Sequence, residues 1–225
     1  MTWPPDPEPD PSAVLNGALN DTRNGAHDQA LAKFLWFHHH ALRHKPSLYG
    51  VRLSFALSYW TELAAVFPPA AVALVRTRDE TEAAFNRMDT TARGGRAGYE
   101  LFHDLASLNE YLDDRARTAN LFARTAMDDL AAAASFYRLA EDSLIVAGRP
   151  DVCGPFLDVS ARLRRAAEVH EDASARSSET GGETQSTTAG PELLCAGRRD
   201  PGRTSRAQRP GRGGAGRLLA RVVRS

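Results

Sequence analysis

The spacing of apolar residues restricts the fold of this chain more than any other feature of its 225 residues. Between residues 13 and 170, apolar side chains recur every three to four positions, which places them on one face of a helix. Two examples are the stripe Leu31, Phe34, Leu35 and His38, and the stripe Leu53, Ala56, Leu57, Trp60, Leu63 and Ala64. No segment alternates cleanly with the period of two that a half-buried strand requires. The sequence therefore predicts an all-α fold without a sheet.

Proline and glycine mark the ends of the predicted helices. Pro46 cannot continue the helix of the first stripe and Ser47 can cap the helix of the second, which predicts a helical hairpin. Gly148 and Pro150 end the last long helix. Residues 90–98 are rich in Gly and Thr, and this composition predicts an exposed loop. The other predicted helices are residues 69–86, 99–112, 115–127 and 130–147, with shorter pieces at 152–157 and 160–173.

The two ends of the chain have compositions that predict disorder. Residues 1–12 contain five prolines and little that can be buried, so order should begin near Ala13 with Ser12 as the helix cap. Residues 174–225 are rich in Arg, Gly, Ser and Thr and provide too little apolar surface to offset the chain entropy of folding. We therefore expect a disordered Pro-rich N-terminus at 1–12, a helical repeat-like domain at 13–173 and a disordered tail at 174–225.

Charge is distributed unevenly along the chain. Residues 176–225 contain ten Arg, no Lys and four acidic residues, a net charge of +6, and because the whole chain is neutral, residues 1–175 carry −6. A basic tail could bind nucleic acid or another polyanion through its charge. The abrupt change in composition is also what a shifted reading frame near Ser174 would produce. The tail is therefore either a genuine basic extension or a frameshifted one, and translating the other frames of the coding DNA distinguishes the two.

The sequence shows no recognisable targeting or membrane segment. The N-terminus has neither a basic n-region nor an apolar h-region, and nowhere do eighteen apolar residues run together. The two cysteines, Cys153 and Cys195, form no recognisable disulfide or metal-binding pattern. We expect a cytoplasmic protein that needs no cofactor and does not bind a membrane.

Residues 24–46, NGAHDQALAKFLWFHHHALRHKP, resemble the second helix of a tetratricopeptide repeat (TPR). The residues in matching positions are Gly25, Ala30, Phe34, Ala41, Leu42 and Pro46. The interval from Phe34 to Ala41 is longer than in the family, and weaker similarity occurs at residues 108–126 and 140–148. The resemblance implies stacked antiparallel helical hairpins, a TPR-like α-solenoid with a concave groove that binds a protein or peptide.

Polar side chains that share a face of a predicted helix are candidates for this groove. His103, Ser107 and Glu110 have i, i+4, i+7 spacing, opposite an apolar stripe that contains Leu105 and Leu108. The candidate partner-binding residues are Tyr49, Arg52, Tyr59, His103, Ser107, Glu110, Tyr137 and Glu141. Any one of them could instead be a solvated residue or part of a salt bridge between helices. The leading hypothesis is a non-catalytic helical scaffold that binds a protein or peptide.

A second hypothesis is a metal-dependent hydrolase. The adjacent pair His103 and Asp104 resembles the pair that gives the all-helical HD phosphohydrolases their name, whose other metal ligands come from further helices. The conceivable further ligands in this chain are His39, His40 and Asp142. His40 and His44 also lie one helical turn apart, but two imidazoles do not complete a site. The simpler interpretation is a helix with a polar face, so we assign no metal site.

Aromatic residues at helical spacing usually belong to a core rather than to a ligand cage. We therefore assign to packing the residues Phe34, Trp36, Phe37, Phe55, Trp60 and Phe67. The sequence contains no Gly-rich phosphate loop, Cys-His dyad signature or Ser nucleophile elbow. This pattern favours a binding function over catalysis.

Overall fold

The computed structural model of the protein describes Trp3 and residues 8–157. These residues form helices and turns with no strand among them, which confirms the all-α prediction for this part of the chain. The α-helices are α1 (Pro11–Arg23), α2 (His27–His44), α3 (Tyr49–Leu53), α4 (Phe55–Val66), α5 (Pro68–Asn86), α6 (Thr90–Gly94), α7 (Arg96–Tyr111), α8 (Arg115–Asp128) and α9 (Leu130–Val146). Two 3₁₀ helices are Pro46–Leu48 and Pro150–Phe156. The predicted helix at 160–173, the predicted tail and most of the predicted N-terminal segment lie outside the described residues.

The first helix begins at Pro11, two residues before the position that the sequence predicts. The carboxylate of Asp10 accepts hydrogen bonds from the backbone N–H groups of Ser12 (3.0 Å) and Ala13 (3.3 Å). A carboxylate at this position satisfies unpaired N–H groups and also interacts favourably with the helix dipole. Asp10 is therefore the cap of α1, and the prediction that Ser12 is the cap is wrong.

The helices α1 and α2 form a hairpin whose turn contains Gly25. This residue has a φ of +76°, a left-handed conformation that glycine adopts without the steric cost of a side chain. Ala18 and Ala30 are completely buried in this part of the fold, and the Lys33 ammonium lies 2.6 Å from the Asp21 carboxylate. The helix α1 ends at Arg23, and Gly25 follows two residues later in the turn.

A first hydrophobic cluster joins α2, α4 and α5. Its large buried side chains include Phe34 and Phe37 from α2, Trp60 from α4 and Leu74 from α5. The indole N–H of Trp60 donates to the carbonyl oxygen of Ala70 at 3.2 Å, so this buried donor has a partner. The assignment of Phe34 to the core is confirmed.

One of the six aromatic residues assigned to packing lies elsewhere. Phe55 is 61% exposed at the first position of α4, so its assignment to the core is wrong. Phe55 lies outside the buried stripe of Leu53, Ala56 and Leu57, because residues one or two positions apart project to different sides of a helix.

A second hydrophobic cluster is built from four phenylalanines on four helices. Phe85 of α5, Phe102 of α7, Phe122 of α8 and Phe136 of α9 are all completely buried. The rings of Phe102 and Phe136 stack with a centroid separation of 4.4 Å. Such aromatic contacts add to the stabilisation that burial of the rings provides.

Two helices contribute to both clusters. α5 provides Leu74 to the first cluster and Phe85 to the second, and α7 provides Leu108 to the first and Phe102 to the second. Helices that are adjacent in sequence also pack together, as in the pairs α1 with α2, α4 with α5 and α8 with α9. This arrangement is compatible with a helical repeat fold.

The second predicted stripe is divided between two helices rather than carried by one. Ser54 separates α3 from α4 with φ −123° and ψ −85°, and its hydroxyl donates to the carbonyl oxygen of Gly50 at 2.6 Å. The phenol of Tyr111 donates to the carbonyl oxygen of Ser54 at 2.8 Å, so α7 supplies a partner for backbone at the break. Ser47 lies inside the 3₁₀ helix Pro46–Leu48, so the prediction that it caps the next helix is also wrong.

The exposed loop predicted at residues 90–98 is instead helix α6 followed directly by the start of α7. The carboxylate of Asp89 accepts a hydrogen bond from the Ala92 N–H at 2.7 Å and caps α6. Gly98 in the first turns of α7 is buried, and a Cβ built on it would lie 1.9 Å from the carbonyl oxygen of Arg93. Here glycine permits the close approach of α6 and α7, rather than marking a loop.

Replacing Gly98 by alanine is expected to lower the free energy of unfolding by about 1–3 kcal/mol, because the added methyl group collides with backbone that must move. The matched control is Gly50→Ala in α3, where a Cβ meets nothing within 4 Å. There the helix preference of alanine should leave stability unchanged or raise it by up to about 1 kcal/mol. Urea denaturation measures both variants, and equal effects at the two positions would contradict the close contact.

Candidate functional site

A small cleft of about 140 Å³ lies between α7 and α9, near the start of α8. Helical spacing brings His103, Ser107 and Glu110 to one face of α7, and all three line the cleft as a group. The full lining is His103, Ala106, Ser107, Glu110, Arg115, Arg138, Leu139, Asp142 and Ser143. The structure therefore brings together three of the eight residues that the sequence nominates for partner binding.

The charged groups of the cleft differ in how they are paired. Glu110 and Arg115 form an ion pair at 3.0 Å across the turn between α7 and α8. Arg138 and Asp142 are exposed, and neither has an ion-pair partner within residues 8–157. The cleft thus presents one cation and one anion that are available to a ligand.

His103 stands at the cleft between two tyrosines. The hydroxyl of Tyr49 lies 3.1 Å from Nδ1 of His103, and the ring of Tyr99 lies edge-on to the imidazole with a centroid separation of 6.1 Å. Burial lowers the pKa of His103 and raises the pKa of Tyr49 to about 12. Both groups are therefore neutral near pH 7, so the imidazole contributes hydrogen bonding rather than charge to the cleft.

Arg52 lies in the protein interior rather than in the cleft, with only 6% of its surface exposed. Its Nη2 donates to Oδ1 of Asp104 at 2.5 Å, and its Nη1 lies 3.5 Å from both Nε2 and the carbonyl oxygen of His38. The guanidinium carbon lies 5.7 Å from the centre of the Tyr49 ring. These contacts connect α3 to α2 and α7, and the expectation that Arg52 lies on an accessible polar face is wrong.

The pKa values in this network follow from burial. Burial, with the positive charge of Arg52 adding to it, lowers the pKa of His38 to about 3, so the imidazole is neutral. Burial also raises the pKa of Asp104, because the loss of water around the carboxylate outweighs the opposing attraction of Arg52. The network therefore holds a buried guanidinium whose positive charge favours the ionised form of the Asp104 carboxylate and so opposes the effect of burial.

The remaining nominated residues are distributed over other parts of the fold. Tyr59 is half-buried against the first hydrophobic cluster. Tyr137 is only 4% exposed, burial raises its pKa, and its hydroxyl donates to Glu141 at 3.1 Å. Neither Tyr137 nor Glu141 lines the cleft, although both lie on α9. A role for these residues in binding a partner stays a prediction.

Sequence reasoning missed Arg115 and Arg138 and considered Asp142 only as a metal ligand. Arg138 and Asp142 have i, i+4 spacing on α9 and therefore share one polar face of this helix. This spacing could have identified them, because each directly follows a nominated residue, Tyr137 or Glu141. Arg115 is the first residue of α8 and lies only five positions after Glu110. This short separation could have predicted the ion pair between them.

Four of the residues considered as metal ligands are engaged in other contacts. Asp104 binds Arg52, His103 bonds with Tyr49, and the rings of His40 and His44 lie against Trp36 at centroid separations of 5.9 and 5.6 Å. Across the described part of the chain, no group of three or more His, Cys, Asp or Glu side chains is arranged to hold a metal ion. The ligand set that the HD resemblance implies is therefore not assembled here.

None of the helices within residues 8–157 combines the length and the apolar character that a bilayer-spanning helix requires.

Comparison with protein families, with curated proteins and with solved structures gives no match. The case for function consequently depends on the geometry of the α7–α9 cleft.

Proposed function

We propose that this protein is a non-catalytic helical scaffold that binds a short peptide or protein segment in the α7–α9 cleft. One observation carries the proposal: His103, Ser107 and Glu110, nominated from helical spacing alone, line the same cleft as Arg138 and Asp142. A recognition site needs a few polar groups that converge on a concave surface, and these side chains provide them.

The chemistry of the cleft suits a peptide better than an apolar small molecule. Serine hydroxyls, a neutral imidazole and two charged side chains can each bond with peptide groups, while Leu139 and Ala106 offer limited apolar surface. The cleft is large enough for one or two side chains rather than for a whole folded partner. We infer that a segment lies along the surface and inserts a side chain.

The proposal also concerns the architecture of the helices around the cleft. We interpret the hairpins α1 with α2, α4 with α5 and α8 with α9 as TPR-like repeats, because in such repeats adjacent helices pack pairwise as they do here.

Cys153 is a buried free thiol, which fits a reducing compartment such as the cytoplasm.

A library of random peptides displayed on phage and selected on the purified full chain tests the proposal. We expect enriched peptides that bind the wild-type protein and lose at least about tenfold in affinity to an Arg138→Ala, Asp142→Ala double variant. The melting temperature should change little, because both side chains are exposed.

The control is the double variant Arg76→Ala, Glu80→Ala, which removes an exposed Arg and acid with the same spacing on α5. It should bind the enriched peptides as the wild type does. Peptides that bind the Arg138, Asp142 variant with unchanged affinity would place recognition elsewhere and contradict the proposal.

A further inference from the structure

Arg138 and Asp142 are separated by one turn of α9 and yet do not pair with each other. Side chains at i and i+4 are neighbours on a helix, and opposite charges at this spacing commonly form an ion pair. Arg76 with Glu80 and Arg96 with Glu100 do so in this protein, each at 2.7 Å. On α9 the two charged groups form no ion pair, and their Cα atoms lie about 6 Å apart along the helix axis at 1.5 Å per residue.

The other charges of the cleft cancel locally. Glu110 is bound to Arg115 at 3.0 Å, and the imidazole of His103 is neutral near pH 7. What a ligand meets is therefore one positive group and one negative group in a fixed order along α9. A ligand with two like charges would gain one attraction and suffer one repulsion, whereas a ligand with opposite charges in the right order gains two attractions.

We propose, on the basis of the function proposed above, that the cleft selects a peptide segment that carries one acidic and one basic side chain about 6 Å apart. In an extended peptide, residues i and i+2 project to the same side and lie about 6.6 Å apart, which matches this distance. The partner chemistry is therefore an acid and a base separated by one residue, with the acid placed against Arg138 and the base against Asp142.

The order of charges in the ligand is the distinguishing property. An exposed ion pair changes affinity by up to about fivefold. The difference in affinity between a peptide with both charges in the correct order and a peptide with only one correct charge should therefore be measurable. The preference should weaken as salt is added, because both groups are exposed to solvent.

Four fluorescein-labelled nonapeptides test the proposal by fluorescence anisotropy on the full chain at low salt. They share a neutral Gly, Ser and Ala frame and differ only in a central Glu-Ala-Lys, Lys-Ala-Glu, Glu-Ala-Glu or Lys-Ala-Lys. One of the two mixed peptides is expected to bind about fivefold more tightly than both peptides of uniform charge.

A charge swap gives the sharper readout. The double variant Arg138→Glu, Asp142→Arg keeps the net charge and reverses the order of charges, so it should prefer the other mixed peptide. The matched swap Arg76→Glu, Glu80→Arg on α5 should keep the wild-type preference, because this pair lies outside the cleft. Should the α9 swap fail to fold, Asp142→Asn and Arg138→Gln serve instead, and each should lose selection at one of the two peptide positions.

The inference is overturned by tighter binding of a uniform peptide, by a swap variant that keeps the wild-type order, or by the absence of binding of all four peptides. Its failure is distinguishable from failure of the proposed function. Peptides from the random library that depend on Arg138 and Asp142 but show no preference for mixed charge would remove only this inference.

Discussion

Replacing Arg52 by alanine is expected to lower the free energy of unfolding by about 3–5 kcal/mol, measured by urea denaturation. The guanidinium is buried and binds Asp104 at 2.5 Å, and its Nη1 lies within 3.5 Å of His38. Its removal leaves a largely buried carboxylate without its cation, and the desolvation of that carboxylate is then uncompensated. Arg52 therefore stabilises the junction of α2, α3 and α7 and should not be used to test partner binding.

Two controls separate the buried pair from a general effect of losing an arginine. Arg76→Ala removes an arginine whose side chain is 78% exposed in an ion pair with Glu80, and it should change stability by no more than about 0.5 kcal/mol. The double variant Arg52→Met, Asp104→Leu removes both charges together and should recover much of the loss, since no charge is left unpaired in the interior. A loss below about 1 kcal/mol in Arg52→Ala would show that the pair is solvated in solution.

Replacing Phe34 by alanine is expected to cost about 3–5 kcal/mol of unfolding free energy. The ring is completely enclosed in the first hydrophobic cluster together with Phe37 and Trp60. Truncation removes the transfer free energy of the ring and leaves a cavity that the surrounding side chains fill only in part.

Phe55→Ala is the matched control for this variant, because it removes the same side chain from an exposed position at the start of α4. The loss there should stay within about 0.5 kcal/mol. Denaturation curves at 25 °C with equal slopes for both variants would justify the comparison. Similar losses in the two variants would contradict the separation of core and surface along the α2 and α4 helices.

Most of the long helices could be predicted from the sequence because they contain a repeated apolar face, and Pro46 and Gly148 mark the ends of two of them. The burial of the Arg52 side chain could not be predicted from the sequence. Helical periodicity predicts directions only while the helix is continuous, and the break at Ser54 interrupts the 100° rotation per residue between α3 and α4. Arg52 is consequently directed to the interior, where His38 and Asp104 are supplied by helices distant in sequence.

On α7 the nominated residues line the cleft, whereas on α9 the lining residues Arg138 and Asp142 each follow a nominated residue by one position. Tyr137 is covered by Phe156 of the second 3₁₀ helix, with the two rings stacked at a centroid separation of 5.1 Å. This contact depends on the path of the chain after α9. The spacing of apolar residues within α9 gives no information about that path. Arg138 and Asp142 are the side chains that remain on the accessible face.

Because α5 and α7 each contribute to both hydrophobic clusters, the two halves of the helical assembly are thermodynamically coupled. Opening the first cluster removes the support of Leu74 and Leu108 and so loosens the same two helices that carry Phe85 and Phe102. Local unfolding of either half is therefore expected to cost nearly as much as unfolding the whole, so we expect the described helices to melt as one cooperative unit.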